Sequence, residues 1–348
     1  MRVLGVLPSA LFSLFFRLMS TGIMLLLTPI GEKRRDRAMK TMKAFEADFP
    51  NEDACKKLLA ECRWPDGPVC PRCGNTRVIT LKARPFHWVC KSGRITMDRE
   101  GKPLTCSKNG GYRFSVITHT IFQDTKIPLD IWFRVAYLML TSKKGISALQ
   151  IHRTVFGEDS GSDYRTSWFM CHRLRCAMRG GIDQLEGEVE IDETWIGGKD
   201  RNKHWKKRSH AWGAHLSGKT SVIGAISRKG NIIARAVDEM GFTTMEDFVK
   251  EAVSTKAKLV ATDEHPGYRH LRGHGFVHQT VNHSKHQYVT GSVHTQTIES
   301  FWSLLKRGIM GSFHHVTREY LPLYVNEFAF RFNGRNDPEM FRKLLQTV

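Results

Sequence analysis

"EVEIDETWI", residues 188–196, alternates Val189 and Ile191 with Glu190 and Asp192. A period of two marks a β-strand with unlike faces, and it predicts a strand that carries Asp192 in mid-course. Downstream, "SVIGAISRKGNIIARAVDE" (221–239) reads as a hairpin turning at Lys229 and Gly230. "TMEDFVKEAVSTK" (244–256) then reads as a helix, "KLVATDE" (258–264) as a short buried strand and "FVHQTVNH" (276–283) as one more strand. Helices close the chain at 296–309 and 317–333. Strands grouped first and then alternating with helices imply an α/β domain around a mixed sheet.

Upstream of the strand the pattern is helical. "IPLDIWFRVAYLMLTSKKG" (127–145) predicts an apolar helix opening after Pro128 and stopping at Gly145. "ISALQIHRTVFG" and "YRTSWFMCHRLRCAM" predict two more, the last one basic, an arrangement suited to a helix-turn-helix-like DNA reader as well as to a plain bundle. Residues 42–62 place Phe45, Phe49, Cys55, Leu58 and Leu59 at helical spacing. Prolines and glycines in "RWPDGPVCPRCGNTRV" (63–78) then break helix, and Val78–Leu81 and His87–Cys90 read as short strands.

Eight cysteines in a chain with no clear secretory context point to metal or free thiols rather than a disulfide framework, and to a reducing compartment. "CPRCG" (70–74) has the form of a zinc knuckle, in which Cys70 and Cys73 offer two thiolates to one ion that wants four. Cys90 and Cys106 are the best second pair, but "KSGRITMDREGKPLT" separates them. Either that knuckle carries an insertion or His87 replaces a thiolate. A closed four-ligand site is structural, not catalytic.

The 348 residues suffice for two or three domains. Lys plus Arg number 53 against 34 Asp plus Glu, a net charge of +19 that attracts polyanions, nucleic acid first among them. "GGKDRNKHWKKRSHAWG" (197–213) concentrates this charge: Lys199, Lys203, Lys206, Lys207 and Arg208 suit phosphate contacts, with Trp205 or Trp212 available to stack on an unpaired base. A solvated loop is the plainer reading. Residues 3–30 are apolar, followed by "EKRRDR". A membrane span and a signal peptide are both conceivable there; the preferred reading is upstream DNA translated from a start set too early, with Met39 or Met42 as the true start. Nowhere else does an apolar run approach the ~20 residues of a membrane helix.

Asp263 ends an apolar strand, at the carboxyl edge where open α/β sheets bind ligands. Glu299 lies in "HTQTIESFWSLLKRG" (294–308), an amphipathic helix. Over seven residues the helix turns ~700°, so Glu299 and Lys306 come within ~20° of one face. Carboxylates at strand ends with a glutamate on a helix can hold two hard divalent cations for phosphoryl displacement. Taken singly each acid is better explained as structural, and Glu193 and Glu264 are adjacent rivals. His270, His274 and His278 would align as a further metal site only on a helix, which Gly273 and Gly275 oppose.

"EIDETWIGGKDRNKH", "DEHPGYRHL", "VNHSKHQYV" and "HTQTIESFWSLLKRGIMGSFHHV…LPLYVNEFAFRFNGR", with "CPRCG", "FSVITHTIF" and "KGISALQIHR…SWFMCHRLRCAM" before them, closely resemble the bacterial insertion-sequence transposases of the ISXO-like group in the DDE superfamily. The resemblance runs over residues 42–345 and implies a ribonuclease H-like core, a mixed sheet flanked by helices. It implies that Asp192, Asp263 and Glu299 bind two Mg2+ (or Mn2+) ions, that Lys306 contacts DNA near the reacting end with Arg307 beside it, and that Cys70, Cys73, Cys90 and Cys106 hold structural Zn2+, with the spread second pair a departure from the pattern. The implied partners are double-stranded DNA, as transposon ends and target, and further copies of the chain assembled on it; no obligate membrane partner is implied, and the expected location is the bacterial cytoplasm, on the nucleoid. The expected parts are an extension (1–41), a helix plus zinc ribbon (42–115), a helical DNA-binding region (116–183) and a catalytic domain (184–348). A nuclease or resolvase without strand transfer, and a non-catalytic zinc regulator, are the rivals.

Overall fold

The computed structural model describes residues 41–97, 100–157, 161–180, 183–198, 204–208, 218–228, 230–280 and 296–348. The apolar segment, Lys199, Lys203 and the "VNHSKHQYV" motif lie outside the described residues, as does the side chain of Lys207. No described helix is long and apolar enough to cross a membrane.

Where one N-terminal helix was expected, two form: α1 (Met42–Asp48) and α2 (Glu52–Arg63). Pro50 cannot donate a backbone bond, so the chain restarts at Asn51, whose Oδ1 caps Ala54 N–H at 3.0 Å. Strands β1 (Ile79–Thr80), β2 (His87–Cys90) and β5 (Tyr112–Ser115) make a three-stranded antiparallel sheet. Between β2 and β5 an unforeseen hairpin, β3 (Ile95–Met97) with β4 (Pro103–Thr105), takes up the residues that separate Cys90 from Cys106. The helical region is α3 (Leu129–Thr141), α4 (Ala148–Ile151) running into a π-turn at His152–Phe156, and α5 (Tyr164–Ala177).

The remaining chain builds a five-stranded sheet from β6 (Glu188–Ile196), β7 (Thr220–Ser227), β8 (Ile232–Val237), β9 (Leu259–Thr262) and β10 (His278–Thr280), in the order β10-β9-β6-β7-β8. β6, β7 and β8 form an antiparallel meander, while β9 and β10 run parallel to β6, so the sheet is mixed. Helix α6 (Phe242–Ala252) packs on one face through Met245, Phe248 and Val249 against Ile191, Ile223 and Ala225. On the other face α7 (Gln296–Gly308) and α8 (Leu321–Asn333) set Ile298, Phe301, Trp302 and Phe328 against Val222 and Ile226. β6 is therefore central, and two of its four acidic positions are inside: Glu190 is 0% exposed and Glu193 7%. Helix α9 (Met340–Gln346), which periodicity did not suggest, returns to the N-terminal region, where Phe341 meets Phe45 and Phe133 edge-on.

α5 carries its basic residues unlike a simple DNA-reading helix. Arg175 is 2% exposed and donates from Nε to Glu327 of α8 at 2.7 Å, with Arg331 on the other carboxylate oxygen at 3.2 Å. A buried arginine needs such a partner, since loss of one member strands the other charge in a low dielectric. Arg165 and Arg173 keep the outer face, the latter over the exposed Phe169 ring.

Candidate active site and metal centres

Two clusters of metal-ligating groups occur among the described residues. In the first, Cys70, Cys73, Cys90 and Cys106 bring four buried sulfurs within 4.8 Å of one another, Cys70 to Cys106 at 3.9 Å and Cys73 to Cys90 at 3.6 Å. Zn–S bonds of ~2.3 Å arranged tetrahedrally put sulfurs ~3.8 Å apart, so the thiols are already spaced for that ion. Burial and the neighbouring sulfurs push the Cys106 thiol upward; four thiolates at this spacing call for a cation. His87 is elsewhere engaged, its Nδ1 against Pro85 O at 2.9 Å. The β3–β4 hairpin closes the long gap, which is why spacing alone left Cys106 in question.

The second cluster is Asp192, Glu193 and Asp263, whose carboxylate oxygens also approach within 4.8 Å. Parallel pairing sets Glu190 of β6 opposite Ala261 of β9, so two residues further on Asp192 and Asp263 come level at the carboxyl edge of the sheet. Asp263 Oδ1 accepts His265 N–H at 3.0 Å, which holds its side chain as the strand turns. Burial pushes the Asp192 carboxyl up to about 6 and that of Glu193 up to about 7, the Asp263 charge adding to both. Acids crowded this way favour a divalent cation, which relieves both their desolvation and their mutual repulsion.

Glu299 is exposed and outside that cluster, although its charge bears on Asp192. One turn along α7, Trp302 donates from Nε1 to Asp192 Oδ2 at 3.0 Å. The indole lies over Gly224, the register partner of Asp192 on β7, where an added Cβ would meet the ring at 2.7 Å. Glycine at 224 thus lets the helix settle on the strand pair, and Glu299 is carried to the same edge. Lys306 follows on that face, exposed, and makes no ion pair with a described residue.

Three supporting groups escaped the sequence reading. Glu190 accepts the N–H groups of Thr297 and Ile298 at 2.8 and 3.1 Å and the Thr297 hydroxyl at 2.9 Å, so a strand residue caps the first turn of α7; Arg228 Nε donates to it at 3.0 Å. Its place two residues before Asp192, on the same strand face, was the available signal. Tyr268, 1% exposed, donates its hydroxyl to Glu193 Oε2 at 2.9 Å. The third is Trp302, which on an amphipathic helix gives no sign that its Nε1 reaches Asp192. His270, His274 and His278 do not cluster: Leu271–His274 is a short 3-10 turn, His274 faces Glu246, and His278 sits in β10 beside the Thr262 hydroxyl. In the basic segment Lys206 and Arg208 are exposed, Lys206 Nζ lying 5.5 Å from the Trp205 ring centre.

What the fold and sites define is a four-cysteine ribbon joined to a mixed-sheet α/β domain with carboxylates gathered at one strand edge. Residues 184–333 match the ISXO2-like transposase domain, and residues 50–94 the transposase zinc-ribbon domain, which ends short of Cys106. The chain belongs to the ISXO2-like insertion-sequence transposases of the DDE type. An uncharacterized protein in transposable element ISH50 of Halobacterium salinarum is 27% identical over 318 residues, 86% of this chain and 98% of the relative. A chain in the cryoEM structure of the simian T-cell lymphotropic virus intasome in complex with PP2A regulatory subunit B56 gamma aligns over 57% of this chain and 65% of its own length, at 11% identity and a TM-score of 0.28, a likeness too low to argue from.

Proposed function

We propose that this chain cuts the ends of its insertion sequence and joins them to target DNA, using Asp192, Asp263 and Glu299 in a ribonuclease H-like domain. The observation that carries the reading is the meeting of Asp192 and Asp263 at one sheet edge, with α7 hydrogen-bonded onto Asp192 by Trp302. The mixed sheet with helices on both faces supports the fold assignment. A pair of Mg2+ (or Mn2+) ions held there supplies Lewis-acid stabilisation of attacking and leaving oxygens. Asp192 and Asp263 provide hard oxygen ligands from the rigid sheet, and Glu299 provides one from the helix. Glu193 lies close enough to share in that ligation, and the Tyr268 hydroxyl orients it.

Lys306 and Arg307 hold the DNA backbone near the reacting phosphate, and Lys199, Lys203, Lys206, Lys207 and Arg208 also contact it. Cys70, Cys73, Cys90 and Cys106 bind a structural Zn2+ that shapes the ribbon of 42–115, ahead of a DNA-binding region at 116–183 and a catalytic domain at 184–348. The chain acts as a homo-oligomer on double-stranded DNA at the nucleoid.

The test uses duplexes carrying the inverted repeats that flank the gene, with Mg2+. Asp192→Asn, Asp263→Asn and Glu299→Gln are each expected to abolish cleavage and strand transfer while end binding persists. Cleavage surviving in any one variant removes that residue from the site. Cleavage without joining favours the nuclease reading, and binding with no cleavage by the unaltered protein favours the regulator.

A further inference from the structure

The β3–β4 hairpin, which spreads Cys90 from Cys106, lies outside both matched domains and bears none of the site residues. It is a two-stranded sheet of its own, with Ile95 opposite Thr105, Thr96 opposite Leu104 and Met97 opposite Pro103. Residues opposite one another in an antiparallel pair share a face, and neighbours along a strand alternate. Ile95, Met97, Pro103 and Thr105 therefore make up one face, and Thr96 and Leu104 the other. The second face is half-buried, whereas on the first Ile95 is 66% and Met97 67% exposed, with Pro103 exposed beside them. A hairpin is marginal in water by itself, and this one turns its apolar face to solvent. Its two ends are held instead: Cys90 and Cys106 both lie in the four-sulfur cluster, and Arg94, just before β3, donates from Nη1 to Cys73 O at 3.0 Å.

We propose that this hairpin is a DNA arm, which presses its Ile95–Met97–Pro103 face into the minor groove of duplex DNA while cations at its base hold the flanking phosphates. Charge names the partner. Lys91, Arg94, Arg99, Lys102 and Lys108 outnumber Asp98 and Glu100 over this stretch. Lys91, Arg94 and Lys108, next to Cys90 or Cys106 in the chain, are exposed at its base. Lys102 meets Glu100 at 3.0 Å, an exposed pair that a phosphate can displace. Two like-charged arms from separate copies would repel, whereas a polyanion draws them. The apolar face names the groove. Reading the major groove takes donors and acceptors matched to base edges, and on this face only the Thr105 side chain has any. Wedges of Ile, Met and Pro are a minor-groove device: they part base steps and kink the duplex. An arm already fixed at both ends loses little freedom in making that contact. It takes its partner, DNA, from the proposed function and is independent of the cleavage step.

The experiment mixes the full chain with duplex carrying the flanking inverted repeat, labelled at both ends, and reads bending by end-to-end energy transfer and affinity across a salt series. The unaltered chain is expected to bend the duplex by ~20–90°. Ile95→Ser/Met97→Ser is expected to leave it nearly straight and to weaken binding roughly 10- to 100-fold, with the slope of log K against log salt unchanged, since no phosphate contact is lost. Lys91→Ala/Lys108→Ala should lower that slope by up to ~2. Ile95→Leu/Met97→Leu, which stays apolar, should bend like the unaltered chain, and Ile79→Ser, 52% exposed in β1, is the control that should change neither readout. Every altered side chain is exposed, so bound zinc and melting should match the unaltered chain. A duplex left straight by the unaltered chain, full bending by the serine variant or an equal loss in Ile79→Ser overturns the arm. A DNA-free dimer that the serine variant breaks assigns the face to a second copy and overturns it as well. An unaltered chain that binds no duplex sinks the proposed function and the arm together. Cleavage without any bending through Ile95 and Met97 sinks the arm alone, and such bending without cleavage sinks only the catalytic reading.

Discussion

Replacing Glu190 tests whether helix α7 is held by the strand that bears Asp192. The carboxylate is fully buried and takes four bonds, two from backbone N–H groups of the first turn of α7, one from the Thr297 hydroxyl and one from Arg228 Nε. Removing a helix N-cap costs ~1 kcal/mol. Removing one member of a buried, hydrogen-bonded ion pair costs ~3–5 kcal/mol, and here it takes from Arg228 the buried partner of the two, Glu188 being 41% exposed. For Glu190→Ala the sum is about 4–5 kcal/mol, since the cap and the ion pair share one carboxylate and do not add in full. Glu190→Gln keeps one carbonyl oxygen for the two N–H groups but turns an NH2 toward a donor, for ~1–2 kcal/mol. The assay is amide hydrogen exchange at Thr297 and Ile298, which reads local opening of α7. Exchange should quicken by about three orders of magnitude in the alanine variant and by about one in the glutamine variant, at roughly 1.4 kcal/mol per tenfold. Exchange at these two amides unchanged in Glu190→Ala would refute the cap, and with it the idea that β6 sets the position of Glu299.

Gly224→Val should drive Trp302 off Asp192 for a cost of ~1–3 kcal/mol of overpacking; a shift in indole fluorescence and lost cleavage with retained end binding would bear this out, and unaltered emission would count against it. Cys106→Ser should lower bound zinc from one equivalent to near none by metal analysis and unfold the ribbon; a full equivalent would show the fourth ligand lies elsewhere. Burial, with the Arg175 charge adding, lowers the His172 imidazole from 6.5 to about 4. The unfolded chain then binds the extra proton between those values, so stability should fall as pH drops from about 6.5 to about 4, by up to ~3 kcal/mol. His172→Phe should flatten that part of the pH profile, and an equally steep profile in the variant would assign the loss to other groups.

The legible parts were those whose signal lies within one element. Alternation at Val189 and Ile191, the amphipathic run around Phe301 and Leu305, and the curled CPRCG knuckle each follow from local backbone geometry, and each is in place. Expectation and fold part where an element serves two purposes. β6 reads as half-exposed, yet it is central, because Glu190 and Glu193 face a capped helix end and a tyrosine hydroxyl rather than water. α5 reads as a basic helix suited to a DNA reader or a plain bundle, yet Arg175 is its buried tie to α8.

Legible in the sequence are the order of strands and helices over 188–333, the first pair of thiols and the membership of the chain among insertion-sequence transposases, since periodicity, turn residues and ordered motifs are properties of short stretches. Long-range packing alone fixes which acids stand together, that Glu193 is beside Asp192 and Asp263 while Glu299 stands off, that Cys106 reaches Cys70 across an inserted hairpin, and that Glu190 caps α7. Those facts depend on parallel pairing of β6 with β9 and on the packing of α7 over Gly224. Such contacts join residues far apart in the chain, and no local pattern encodes the distance between them.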